Sequence, residues 1–146
     1  ELVAKLLELG LRLAIHTHDP EMRSDAREWY HILRNTRPES VYFCLDLHWV
    51  LRGGQDPLAL LRAAGPRTID LHLRSSRDGV WLEDLGPGDI DHAKVAEVLR
   101  EIRYRGTYTV ELAYEGKMAR TRTLEENLKR SLEHVRTVML PGSRAR

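Results

Sequence analysis

The chain has 146 residues, 42% hydrophobic and 31% charged, enough for one domain with a packed core. Its 23 basic and 22 acidic residues leave a formal charge of +1, which supplies no field for a polyanion and argues against a nucleic-acid partner. The only cysteine, Cys44, rules out an internal disulfide framework and points to a reducing, cytoplasmic setting; no apolar run approaches the roughly 20 residues of a membrane helix.

ELVAKLLELG carries leucines at helical spacing and stops on Gly10; it lacks the basic start and cleavage site of a signal peptide. LRLAIHT reads as a strand. SDAREWYHILRNT predicts a helix capped by Ser24, with Glu28 near the capping-box position. VYFCLDL is a strand rich in β-branched and aromatic residues. DPLALLRAAG predicts a helix with Asp56 as cap, Pro57 at its first position and Gly65 as its stop. RTIDLHL is a third strand, and LGPGDID reads as a tight turn rather than a phosphate cradle. DHAKVAEVLREIRYRG predicts a helix from Asp91 to a stop at Gly106. TYTVELAY is a fourth strand, and TLEENLKRSLEHVRTVM is a closing helix capped by Thr123. The domain is expected over 1–140, with PGSRAR at 141–146 as a disordered basic tail. The order α-βα-βα-βα-βα predicts an α/β fold with a parallel sheet and helices packed on it. A closed barrel of eight βα units takes about 250 residues. Four units make either a small open sheet or the C-terminal half of something larger.

Functional groups in parallel βα folds collect where strands end and loops begin. Each strand here carries a potential metal ligand near that end: His16, Asp46, His72 and Glu111. Neighbouring strands lie roughly 4.8 Å apart, so inward side chains at four successive ends can converge on one ion. Mixed imidazole and carboxylate donors suit Mn²⁺, Co²⁺, Fe²⁺ or Zn²⁺, with Mg²⁺ also open.

The segments LAIHTHDPE, CLDLHWVLRGGQDP, LHLRSSRDG, LGPGDID and YTVELAYE, in this order from about residue 11 to 137, resemble the C-terminal half of the xylose isomerase-like TIM barrels, the sugar phosphate isomerase/epimerase superfamily. The resemblance implies a divalent metal at the barrel mouth, held by Asp46, His72 and Glu111 with a fourth ligand from the first segment. It also implies a small-molecule sugar, sugar phosphate or cyclitol as substrate. Two positions depart from the family pattern. His16 stands where many relatives have a glutamate, and Ser75 where an aspartate often follows the basic residue. In the epimerases two glutamates flank the substrate, and here one of them is an imidazole. A subset that includes inosose dehydratase-like proteins resembles this chain in its His-x-His-Asp first segment, so dehydration stands beside epimerisation and isomerisation.

His16 is read as either a metal ligand or an acid/base group. Glu111 is ligand or base, because an unpaired buried carboxylate would be expensive. Asp46 has a second reading as a cap for the following turn. His48 shares a face with Asp46 if the strand persists that far, and would return a proton or contact substrate. His18, Arg74 and Trp49 are candidate substrate contacts, with Trp81 beside Trp49 as wall or core. Glu21 reads as a solvated loop residue, His31, His92 and His134 as helix-surface residues, and Cys44 as packing. Endonuclease IV-like enzymes share this barrel, but the SSRDGVWLED stretch at 75–84 lacks the histidine of their cluster. Two further readings are a non-catalytic metal- or sugar-binding barrel fragment, and a half barrel completed by an N-terminal half or a second copy.

Overall fold

The computed structural model describes residues 2–140, so the tail expected at 141–146 lies outside the described residues. Helix α1 (Leu2–Glu8) leads through Gly10, whose φ of +69° makes the left-handed turn, into strand β1 (Leu13–His16). Helix α2 (Asp19–Asn35) and strand β2 (Val41–Asp46) follow. Two short helices come next, α3 (Leu47–Arg52) and α4 (Pro57–Ala64), and then strand β3 (Thr68–Leu73). A small antiparallel hairpin, β4 (Ser76–Arg77) with β5 (Val80–Trp81), precedes helix α5 (His92–Glu101). Strand β6 (Thr107–Val110) and helix α6 (Leu124–His134), extended by a π-helical turn at Val135–Met139, complete the chain.

The main sheet has the order β1-β2-β3-β6, and every pairing is parallel. This is the sequential order of consecutive βα units in a barrel wall. Its buried side packs Phe43, Leu45, Leu71 and Leu73 against Trp29 of α2, Leu61 of α4 and Val95 and Leu99 of α5. Two edges stay open among the described residues, along β1 and β6. Several leucines of α1 and α6 are also uncovered: Leu2 and Leu7 are 64% and 50% exposed, and Leu124, Leu128 and Leu132 between 43% and 52%. Among the described residues no helix is long and apolar enough to cross a membrane.

Several local expectations need correction. The second helix does not begin at Ser24. The Asp19–Asn35 range is two helical segments, a first turn from Asp19, where the Glu21 carboxylate accepts the His18 backbone N–H at 2.7 Å, and the expected helix, which resumes after a non-helical break at Arg23–Ala26 whose last three residues are left-handed with φ of 52–58°. That left-handed turn costs roughly 1–2 kcal/mol per residue and lets both Met22 and Trp29 reach full burial. The strand read through Leu47 ends at Asp46, because the Asp46 carboxylate caps α3 by accepting from the backbone N–H groups of His48 and Trp49 at 2.9 and 3.1 Å. Helix α5 stops at Glu101 and not at Gly106. Gly106 is needed for another reason: a Cβ there would stand 2.2 Å from the Ile69 carbonyl oxygen. The LGPGDID turn is a turn, as expected. Its Asp89 accepts from the Ser76 hydroxyl and from the backbone N–H groups of Asp78 and Gly79, tying down the hairpin tip.

His92 and His134 are not free surface residues. His92 is 3% exposed, and its Nδ1 lies 3.0 Å from His134 Nε2. Burial, with His134 beside it, pulls the His92 pKa down to about 4. His48, 1% exposed, is likewise pulled to about 4 by burial and by the Arg52 and Arg74 guanidiniums. Between pH 6.5 and 4 the unfolded chain therefore takes up protons that the folded chain refuses, and stability falls as pH falls through that window. A shift of this size amounts to roughly 3 kcal/mol for each imidazole. Urea midpoints at pH 7 and 4.5 are expected to differ clearly, and His92→Asn to flatten the difference. An equally steep loss in the variant would rule His92 out as a source.

Candidate metal centre

The sheet brings together the four residues singled out at the strand ends. One donor atom each from His16, Asp46, His72 and Glu111 lies within 4.8 Å of all the others. Register explains the convergence. Asp46 and His72 are direct partners across β2 and β3, and the Glu111 backbone N–H donates to the Leu73 carbonyl just past the end of β6. His16 ends β1 opposite Cys44, one row lower, and its ring spans the difference: Nε2 comes within 3.9 Å of Asp46 Oδ2. His16 and Glu111 thus flank the cluster from the two outermost strands.

The Asp46 side chain is fully buried. Its Oδ1 takes the two α3 backbone N–H groups, and its Oδ2 faces the Arg74 guanidinium at 3.3 Å. Burial raises the Asp46 pKa, and Arg74 only partly offsets it, so the carboxylate is short of positive charge. Glu111 Oε2 accepts from His72 Nδ1 at 2.7 Å and lies 2.8 Å from Arg74. Burial pushes the Glu111 pKa up, but Arg74 and His72 outweigh it and hold the carboxyl below its usual range, hence ionised near neutrality. Burial, reinforced by His72, lowers the pKa of His16 and keeps its ring neutral. Across the ring of His72 from Glu111, Nε2 lies 3.5 Å from Asp70 Oδ2. Asp70 is anchored by the Thr107 and Thr109 hydroxyls at 2.6 and 3.1 Å, and flanks the His72 ring on the side away from Glu111.

These residues fit a divalent cation. The donors are two imidazoles and two carboxylates, and His16 Nε2 is buried with no hydrogen-bond partner among the described residues. Asp46 is at once the helix cap and a member of the cluster, so the two readings of that residue coexist.

The remaining candidates form a rim beside the cluster. The His18 ring packs against His16 at 4.8 Å and Trp49 at 5.3 Å, and Trp49 meets Trp81 at 5.5 Å. Two guanidiniums stand over the Trp81 ring, Arg52 at 4.4 Å and Arg74 at 4.3 Å. His48 does not join Asp46 on a shared strand face, because the backbone has already turned into α3. It lies beneath Trp81, accepting the indole N–H on Nδ1 at 3.0 Å, outside the four-residue cluster. The same imidazole holds Trp81 in the wall. The sequence reading missed Asp70, although it shares the inward face of β3 with His72 two positions on, and that spacing was signal enough.

The model of the xylose isomerase-like TIM barrel family matches residues 1–138. Inosose dehydratase from Geobacillus kaustophilus (strain HTA426) is 27% identical over 146 aligned positions, which take in 88% of this chain and 47% of that protein. A sugar phosphate isomerase/epimerase from Parabacteroides distasonis superposes with a TM-score of 0.75 at 24% identity, over 94% of this chain and 49% of that one. The 3-keto-D-glucoside 4-epimerase of E. coli superposes with a TM-score of 0.64 at 16% identity, over 93% and 49%. The chain therefore spans about half the length of the relatives it matches. With a parallel half-barrel wall in sequential strand order and a family model matched along nearly all of it, the chain belongs to the xylose isomerase-like TIM barrel family.

Proposed function

We propose that the protein is a divalent-metal-dependent enzyme that enolises a keto-sugar or cyclitol, with dehydration as its reaction. The observation that carries this reading is the convergence of His16, Asp46, His72 and Glu111 from four neighbouring strands to within 4.8 Å. These four residues would hold the ion, which when bound supplies positive charge against a developing enediolate and so acidifies the carbon–hydrogen bond beside the carbonyl.

The chain's own groups do the rest. Glu111 is ionised, and its Oε2 is already engaged by His72 and Arg74, which leaves Oε1 to accept the α-proton. His18, exposed at the rim beside His16 and Trp49, gives a proton to the departing hydroxyl, so that the carbon–oxygen bond breaks with release of water. Arg74 holds a substrate oxygen through the guanidinium that faces both carboxylates. Trp49, half-buried and backed by the buried Trp81, offers an apolar face to a ring and excludes water from one side. A histidine at position 16 leaves Glu111 without a second carboxylate across the site, so a symmetric two-carboxylate epimerisation is disfavoured against one-sided elimination. The resemblance to inosose dehydratase supports this choice; the epimerase folds among the structural neighbours support the second reading, epimerisation. In this proposal four further βα units, from the same polypeptide or a second copy, close the barrel over β1 and β6.

The test is incubation of the manganese-loaded protein with inosose and with ketohexoses in D₂O, followed by NMR. Loss of water with deuterium at one carbon is expected. Deuterium entering without loss of water would replace dehydration by epimerisation or isomerisation, and no exchange at all in a protein that binds manganese would sink both readings.

A further inference from the structure

A second group of donors lies one row deeper in the same wall. Cys44 pairs with His16 across β1 and β2 and with Asp70 across β2 and β3, two residues below Asp46 on the same inward face. Two residues along a strand is roughly 6.6 Å, so this row is distinct from the row of Asp46 and Glu111. One donor atom each from His16, Cys44 and His72 lies within 4.8 Å of the other two. Asp70 Oδ2 adds a fourth, 3.5 Å from both Cys44 Sγ and His72 Nε2. Tetrahedral ligands at about 2.0–2.3 Å from an ion stand roughly 3.5 Å apart, so this set closes with side-chain adjustments of about an ångström.

We infer that the protein carries a second, thiolate-containing metal site, formed by His16, Cys44, His72 and Asp70, that selects soft or borderline ions such as Cd²⁺ and Zn²⁺ and excludes occupancy of the site at the barrel mouth. The selectivity follows from the donors. Two imidazoles, one sulfur and one carboxylate in tetrahedral disposition suit Zn²⁺ and Cd²⁺, whereas Mg²⁺ and Mn²⁺ prefer oxygen-rich octahedra. The exclusion follows from the shared residues. An imidazole that keeps one N–H has a single lone pair to give, so neither His16 nor His72 serves both rows at once, and without them the mouth retains only Asp46 and Glu111. Binding forms a sulfur–metal bond and releases the thiol proton to solvent, one proton per ion. The consequence is inhibition by soft ions through displacement, with no ligand at the substrate rim. The site shares two imidazoles with the one proposed above but does not depend on that site's chemistry.

Cadmium titration of the metal-free protein tests this inference, because Cys44 is the only cysteine and every thiolate-to-cadmium charge-transfer band in the ultraviolet must come from it. The band is expected to saturate at one equivalent, and in a parallel titration of the manganese-loaded protein cadmium is expected to release Mn²⁺ one for one, seen by electron paramagnetic resonance. Cys44→Ser is expected to lose the band and resist displacement while still binding Mn²⁺. Glu111→Gln is expected to keep the band while losing Mn²⁺ affinity. A wild-type protein without the band, or cadmium displacing Mn²⁺ equally well from Cys44→Ser, overturns the inference. A normal band in a protein that never binds Mn²⁺ supports the deeper site and counts against the function proposed above.

Discussion

Glu111→Gln is expected to lower turnover of the sugar substrate about a thousandfold, the scale lost when a positioned general base is removed. Glutamine keeps the shape but has no negative charge, so neither amide atom can accept the α-proton. The same change weakens the ion-holding cluster, because Glu111 Oε2 is the atom that meets both His72 and Arg74. Two readouts separate these roles. Manganese content measured after dialysis reports the ligand, and kcat at saturating manganese reports the base. Folding stability is expected to change by only about 1 kcal/mol, since the side chain is 44% exposed and its ion pairs are partly screened. Activity within tenfold of the wild type at full metal loading would remove Glu111 from the base role.

The cluster could be read from the sequence because parallel strands impose a simple rule: alternate residues face inward, and strand ends lie side by side. His16, Asp46, His72 and Glu111 each close a strand-like run of the right length, so their convergence needed only the strand order. What the sequence hid depends on tertiary packing. The left-handed turn at Ser24–Ala26 has no glycine to announce it, and exists because Met22 and Trp29 must both enter the core. Helix α6 turns a polar stripe inward. Asn127 and Ser131 are fully buried, Asn127 donating to Glu83 and Ser131 accepting from the Leu85 backbone N–H, while the leucine stripe at 124, 128 and 132 faces out. Hydropathy alone would turn that helix over. Other features were legible and overlooked. Asp78-Gly79 is a hairpin-turn dipeptide, and both residues adopt positive φ at the β4–β5 tip. His92 shares a helical face with Val95, Ala96 and Leu99, all buried, so its burial was implied by spacing.

Arg74→Met is expected to give the largest loss of stability in the metal-free protein, roughly 3 kcal/mol, because it leaves a buried carboxylate without its counter-charge. The Arg74 side chain is only 4% exposed, and its guanidinium stands 3.3 Å from the fully buried Asp46 carboxylate. Methionine preserves much of the apolar contact with Trp81, so the loss reports charge more than packing. A divalent cation supplies the same kind of charge to the same carboxylates. Manganese should therefore recover most of the lost stability in the variant, and should bind it more tightly than the wild type, where the guanidinium repels an incoming ion. At a hundredfold excess over Kd, binding contributes about 2.7 kcal/mol, close to the expected deficit. Thermal melts of both proteins with and without manganese decide the matter. An equal drop in both conditions would mean that Arg74 supports the fold through its stacking on Trp81. Adding Asp46→Asn to Arg74→Met sharpens the distinction: removing the charge together with its partner should restore stability without metal, and should end the response to manganese.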